Sequence, residues 1–370
     1  YIKRVEQKSY IQQITNLKMN LFEESIRIIK NNQAETGAYI ASPGISVYQY
    51  SWFRDGSWIA YAMLIADEKK SAEKFYDWSS KVIIKYEKKI LDAIKNSEER
   101  KSLGENFIHA RYSIYGEEVN EKWGEFLLDG LGVWLWSLSQ FIEHAGREKI
   151  EWIKSAGLVC DYLKKLWNIP CNDIWEENPE KIHTSVLASI YAGLSSFSSK
   201  FPEKNLEKTC NNIKEFILNN LVYKDSLIKY FGSKEVDSGI LMCAVPFNIF
   251  SAKNALIKKT AKRIVNELHV TQGLKRYKDD TFYGGGEWII LACWLGLFYI
   301  EINKFSEAKK ILKWVEDKAD KNFYLPEQIN PASKTYYKEW VEKWGAPANP
   351  LLWSHAMYII LNNKFLKTAL

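Results

Sequence analysis

The sequence predicts an all-α fold, an (α/α)6 toroid of six helical hairpins in two concentric rings. Two observations carry this. Hydrophobic periodicity marks about twelve helical segments that alternate between wholly apolar and amphipathic. The connections alternate as well, short after each apolar segment and long before it.

The amphipathic segments come first. Ile14, Leu17, Leu21 and Ile28 share one face of the first. Leu206, Cys210, Ile213 and Ile217 do so in another, and Ala308, Ile311, Leu312, Val315 and Ala319 in a third. Their other faces carry Lys and Glu, which places these helices outside with one face wet. The apolar segments are Trp58–Ile65, Gly132–Trp136, Ser185–Tyr191, Gly239–Val245, Trp288–Trp294 and Leu351–Ile359. A helix apolar on every side is buried on every side, and the Ala, Leu, Met and Trp content favours helix over buried strand. Outer-to-inner links span residues 33–56, 104–125, 168–183, 222–237, 269–287 and 321–350, whereas those at Asp67–Lys70 and Asn303–Lys304 are short. In a closed ring the long links emerge on one rim, so residues distant in sequence converge above one funnel.

Composition fits this fold. The chain has 370 residues, 46% of them apolar, enough for a substantial core. No linker or composition shift divides it, so one domain over residues 1–370 is expected. Net charge is +6 with Lys and Glu interspersed, which reads as a solvated surface rather than a nucleic-acid patch. Cys160, Cys171, Cys210, Cys243 and Cys293 form no CxxC pair and read as reduced core residues. No apolar run is long enough to span a bilayer. The first residues, from Tyr1, show no signal peptide, and a cytoplasmic location is expected. The 15 Trp and 21 Tyr supply faces that pack cores and also stack on sugar rings.

The long loops carry the chemistry. The first ends in Tyr48, Trp52, Arg54 and Asp55; the Arg–Asp pair is either a loop salt bridge or a set of fixed donors and acceptors for sugar hydroxyls. The second ends at Trp123–Gly124, with Asp129 one turn into an apolar helix, costly unless paired. In the third, Asp173, Trp175, Glu176 and Glu177 are adjacent. Repulsion from a second carboxylate and desolvation by Trp175 would both raise a Glu pKa, suiting a general acid; a solvated acidic loop is the plain alternative. The fifth holds Arg276–Tyr277 and Tyr283-Gly-Gly-Gly-Glu287-Trp288, which lacks the Gly-Lys-Ser/Thr ending and the preceding strand of a phosphate loop. The sixth holds Pro326-Glu327-Gln328 and Trp344. His355, in an apolar helix, reads as a core histidine. No His/Cys/Asp spacing suggests a metal site, and no cofactor is expected.

Taken in order, these motifs resemble glycoside hydrolase family 15, the glucoamylase family, of prokaryotic type. The matching pieces are Tyr48…Trp52-Phe-Arg54-Asp55, Trp123-Gly124…Asp129, Asp173-Ile-Trp175-Glu176-Glu177, Val236-Asp237-Ser238, Arg276-Tyr277, Gly285-Gly286-Glu287-Trp288, Pro326-Glu327-Gln328 and Trp353-Ser354-His355-Ala356. The resemblance implies a six-hairpin toroid and an exo-acting inverting α-glucosidase that releases β-glucose from an oligosaccharide. It implies Glu176 as general acid and Glu327 as general base, with carboxyls about 6.5–9.5 Å apart to admit water. It implies that Arg54 and Asp55 grip the terminal glucose and that Tyr48 lies near the attacking water. Trp52, Trp123 and Trp175 would be aromatic walls, with Arg276, Glu177 and Glu287 also binding substrate. A trehalase of the same family, or a non-catalytic sugar-binding toroid, are the alternatives. Glu125, Phe126 and Leu127 depart from the fungal Arg-Pro-Gln after Trp-Gly, which leaves malto-oligosaccharide, isomalto-oligosaccharide and trehalose all open.

Overall fold

In a computed structural model that describes residues 21–119, 121 and 123–369, helices dominate and strands are minimal. Helix α1 covers residues 21–31. It is followed by α2 (Phe53–Ile65), α3 (Lys69–Lys85), α4 (Glu87–Glu98), α5 (Asp129–Ala145), α6 (Ile150–Leu166), α7 (Thr184–Phe197), α8 (Leu206–Asn220) and α9 (Ala255–Leu268). Then come α10 (Ile289–Glu301), α11 (Phe305–Glu316), α12 (Lys334–Trp344) and α13 (Leu352–Ala369). Ile14 and Leu17 of the first expected segment lie outside the described residues.

The inner ring closes on itself. α2 packs on α5, α5 on α7, α7 on a 3-10 segment (Ser238–Cys243), that segment on α10, α10 on α13, and α13 back on α2. Outside it, α3, α6, α8 and α11 pack against the inner helices, and α9 against the 3-10 segment. The two kinds of helix differ as their patterns require. Every residue of α10 except Tyr299 and Glu301 is buried, whereas α11 buries only Ala308, Ile311, Leu312, Trp314 and Val315.

One expectation needs correction. The fourth inner segment is not an α-helix. Asp237 caps it by accepting from Gly239 N, and Ser238–Cys243 winds as 3-10. Pro246 stops further winding, since it lacks the N–H that would continue the ladder. The ring stays closed because Ile240, Leu241, Met242 and Cys243 are all buried there. The sixth long link carries a helix of its own, α12, capped by Ser333 Oγ, which accepts from Tyr336 N.

All five cysteines are buried thiols. Among the described residues no helix is long and apolar enough to cross a membrane.

The inner helices run in the same sense, each entered from a long link. Three two-residue ladders pin those links: Ser51–Trp52 against Arg111–Tyr112, Val222–Tyr223 against Ser226–Leu227, and Glu287–Trp288 against Gln328–Ile329. The first and third set the positions of site residues.

Candidate active site

A cavity of about 300 Å³ opens at the N-terminal rim of the inner ring. Tyr48, Trp52, Arg54, Asp55, Trp123, Trp175, Glu176, Glu177, Arg276 and Glu327 all line it. Residues from the first, second, third, fifth and sixth long links therefore meet there.

Below the cavity the ring is filled. Trp353 lines the cavity and packs on Trp294, at 5.9 Å between centroids. Trp294 packs on Trp58 at 6.0 Å, and Trp58 on Trp136 and Phe247 at 5.4 and 5.8 Å. Aromatic contacts of this spacing pack the ring interior beneath the cavity. The cavity therefore opens only toward the loops.

The Glu176 loop is built by its neighbours. Asp173 Oδ1 accepts from Trp175 N and Glu177 N at 2.9 and 3.0 Å, a tight turn that leaves Glu176 at φ 67°. That left-handed conformation costs a non-glycine residue about 1 kcal/mol and needs external support. Buried Lys229 supplies it, lying 3.4 Å from Asp173 and 3.7 Å from Asp237. Asp237 in turn accepts from Trp175 Nε1 at 2.8 Å. So Asp173 is a turn former rather than a third acid, and Trp175 is tied to Asp237.

The Glu176 carboxylate accepts three N–H groups. Trp52 Nε1 reaches Oε1 at 2.7 Å, Arg54 Nη2 reaches the same oxygen at 3.0 Å, and Trp123 Nε1 donates to Oε2. Arg54 also contacts Asp55 at 3.2 Å and lies 3.8 Å from Asp129, the partner that Asp129 needs at its apolar helix start. Burial pushes both Asp55 and Asp129 up to about 6 despite the adjacent guanidinium. Glu177 accepts from Arg276 Nη2 at 3.0 Å and from Tyr277 Oη. Arg276 is itself held by Asp280 and by the faces of Trp175, Phe282 and Trp288.

Glu327 is the deeper carboxyl. It is 2% exposed, Tyr48 Oη donates to its Oε1 at 3.0 Å, and Oε2 has no partner in the protein. Burial pushes its pKa up to about 8, with the Tyr48 bond and Arg276 acting in the opposite direction. The first turn of α13 holds its backbone. Leu325 N donates to His355 Nε2 at 3.1 Å and Ser354 Oγ to Pro326 O at 2.8 Å. His355, fully buried and shifted down to about 3, is thus a neutral core histidine that positions the loop.

Glu287 requires correction. Its carboxylate does not line the cavity; it accepts from Thr271 N, Thr271 Oγ1, Gly273 N and Asn330 Nδ2 and ties two loops together. Sequence reading also passed over Trp340 and Lys343 of α12, which line the mouth beside Trp344. Their signal was present: Tyr337, Trp340, Val341 and Trp344 recur at helical spacing. Lys229 had no such signal. Among the described residues no cluster of His, Cys, Asp and Glu could hold a metal ion.

Comparison with known proteins gives a consistent pattern. The sequence model described as Glycosyl hydrolases family 15 matches residues 20–363. An isomaltose glucohydrolase from Kribbella flavida is 32% identical over 358 residues, covering 92% of this chain and 91% of that protein. Trehalase 2 from Sulfolobus acidocaldarius is 25% identical, covering 80% of this chain and 56% of its own length. A solved wild-type glycosidase superposes with a TM-score of 0.91 at 31% identity, covering 96% of this chain and 98% of its own. Glucoamylase from Saccharomycopsis fibuligera, at 14% identity and a TM-score of 0.73, shares the fold.

Proposed function

The chain belongs to glycosyl hydrolase family 15 and is a glycoside hydrolase, and from that premise we propose that it is an exo-acting inverting α-glucosidase for short α-glucosides. Isomaltose is the first substrate to test, because the relative that matches over nearly its whole length is an isomaltose glucohydrolase.

The depth order of the two carboxyls carries this reading. The cavity has one open end, so the terminal glucose enters first and the leaving sugar stays on the solvent side. The proton donor must then lie nearer the mouth. Glu176, whose side chain keeps 13% exposure beside Trp123 and the α12 aromatics, suits that position. Glu327, at 2%, suits the far face, where its Oε2 can take a proton from the attacking water. Tyr48 orients Glu327 through the other oxygen. Arg54 and Asp55 supply fixed donors and acceptors for hydroxyls of the terminal ring.

Glu176 enters the reaction as the acid and Glu327 as the base. For Glu176 to donate, the substrate's glycosidic oxygen must take up its proton while the indole and guanidinium donors receive the carboxylate that remains. The same three N–H groups that hold Glu176 in place then stabilise the negative charge left on it once the proton has gone.

Proton NMR of the first product from isomaltose, maltose and trehalose tests the proposal. β-Glucose appearing before mutarotation is expected, and α-glucose as first product would refute inversion. Glu176→Gln and Glu327→Gln are each expected to lower kcat by about 10²–10⁴-fold, the usual worth of acid–base catalysis. Near-parental turnover in either would remove the assignment.

A further inference from the structure

Behind the cavity wall lies a buried cation with no part in the mechanism above. Arg111 is fully buried and is the ladder partner of Trp52. Its guanidinium carbon sits 4.2 Å from the centroid of Trp123, 5.5 Å from that of Trp52 and 5.0 Å from that of Tyr50. It does not line the cavity. Trp52 and Trp123 are the two indoles that donate to the two oxygens of Glu176.

We infer that Arg111 is a positioning residue for the proposed proton donor: stacked behind Trp52 and Trp123, it fixes both indoles so that their N–H groups converge on Glu176. The local geometry and the chemistry of the cation support this. The two rings meet edge to face, 6.2 Å apart at 68°, a geometry that leaves their N–H edges free to point the same way. A planar cation against both rings holds that angle, because each ring face attracts positive charge. The cation also draws density from the indoles, which makes each N–H a stronger donor. Finally, the guanidinium cannot drift: Nε donates to Glu125 Oε1 at 3.1 Å, Nη2 to Glu121 Oε2 at 3.3 Å, and Nη1 to Val47 O at 3.3 Å.

This assigns a purpose to Glu125, the first of the three residues that depart from the fungal pattern after Trp123–Gly124. Glu125 does not line the cavity; it accepts from Arg111 Nε and holds the guanidinium from behind. The inference rests on Glu176 being the acid, so the test includes that premise.

The experiment compares a disaccharide, whose leaving sugar needs a proton, with α-glucosyl fluoride, whose leaving fluoride needs none. Arg111→Lys keeps the charge and loses the plane. Arg111→Gln/Glu125→Gln removes the cation without stranding the buried carboxyl, which protects folding, and melting curves confirm it. Both variants are expected to lose at least about tenfold in kcat/KM on the disaccharide while changing less than about threefold on the fluoride, a fraction of the full acid contribution. Equal losses on both substrates would show a purely structural role and overturn the inference, as would no loss on either. Glu176→Gln is run in parallel and should show the same selectivity more strongly. If it shows none, the acid assignment fails and the inference falls with it; if Glu176→Gln is selective and the Arg111 variants are not, only the inference falls.

Discussion

Glu327 shows how burial and chemistry interact at a single residue. Neighbouring carboxylate and Trp175 in the sequence point to Glu176 as the carboxyl that retains its proton, yet Glu177 is engaged by Arg276 and Tyr277, and Trp175 by Asp237. The carboxyl that burial pushes up, to about 8, is Glu327. A general base works only when ionised. The acid limb of kcat/KM is therefore expected well above the ordinary carboxylate value of 4.5, and a pH–rate profile that is flat down to pH 5 would contradict it. Stability follows the same sign. A carboxyl raised in the folded state costs stability as pH rises from its ordinary value toward its folded one, by about 1.4 kcal/mol per pH unit. Glu327→Gln carries no such cost. Its stability relative to the parent should rise between pH 5 and pH 8, which urea unfolding at the two pH values measures. A constant difference would place Glu327 in a more polar site than described.

At the scale of elements, close helix approach and loose helix attachment each have a readable cause. α5 and α7 meet through Gly132 and Gly193: a Cβ on Gly132 would lie 2.4 Å from Ser189 O, and one on Gly193 2.5 Å from Gly132 O. Backbone cannot yield as a flexible side chain can. Gly132→Ala is expected to destabilise by about 1–3 kcal/mol, the usual penalty of overpacking, read as a lowered midpoint in denaturant. α12 is the opposite case, since none of its residues is fully buried. Aromatic contacts hold it: Trp344 stacks on Trp123 at 5.3 Å, and Trp340 packs on Phe282 at 5.0 Å. These rings form the mouth where the leaving sugar would sit. Trp344→Ala is expected to raise KM for a disaccharide several-fold with little change in melting temperature, and an unchanged KM would separate α12 from substrate binding.

Over the whole molecule, the inner ring and the rim loops should differ in local stability. α2, α5, α7, α10 and α13 are buried along most of their length and with the 3-10 segment close the ring, whereas α12 hangs on its rim. Hydrogen exchange should therefore be slowest in α10 and α5 and fastest among the helices in α12, because protection follows buried contact. Comparable protection in α12 and α10 would mean that the mouth is as rigid as the core.

Sequence alone was sufficient for the ring, since helix periodicity is a local property: a stripe of apolar residues or an apolar cylinder states which faces meet water. The exception, Ser238–Cys243, is local as well, but its stop signal at Pro246 is outweighed by an apolar run that reads as helix. Eight short motifs in order pointed to the family. The site's charge states and supports were decided only by tertiary structure. Lys229 beneath the Glu176 turn, Arg111 behind the indoles and His355 under the Glu327 loop each act on a residue far away in the chain. Glu287 lies outside the cavity for the same reason, its carboxylate being engaged by Thr271, Gly273 and Asn330. A carboxyl's pKa depends on what surrounds it within a few ångströms, and those neighbours come from loops that meet only when the ring has closed.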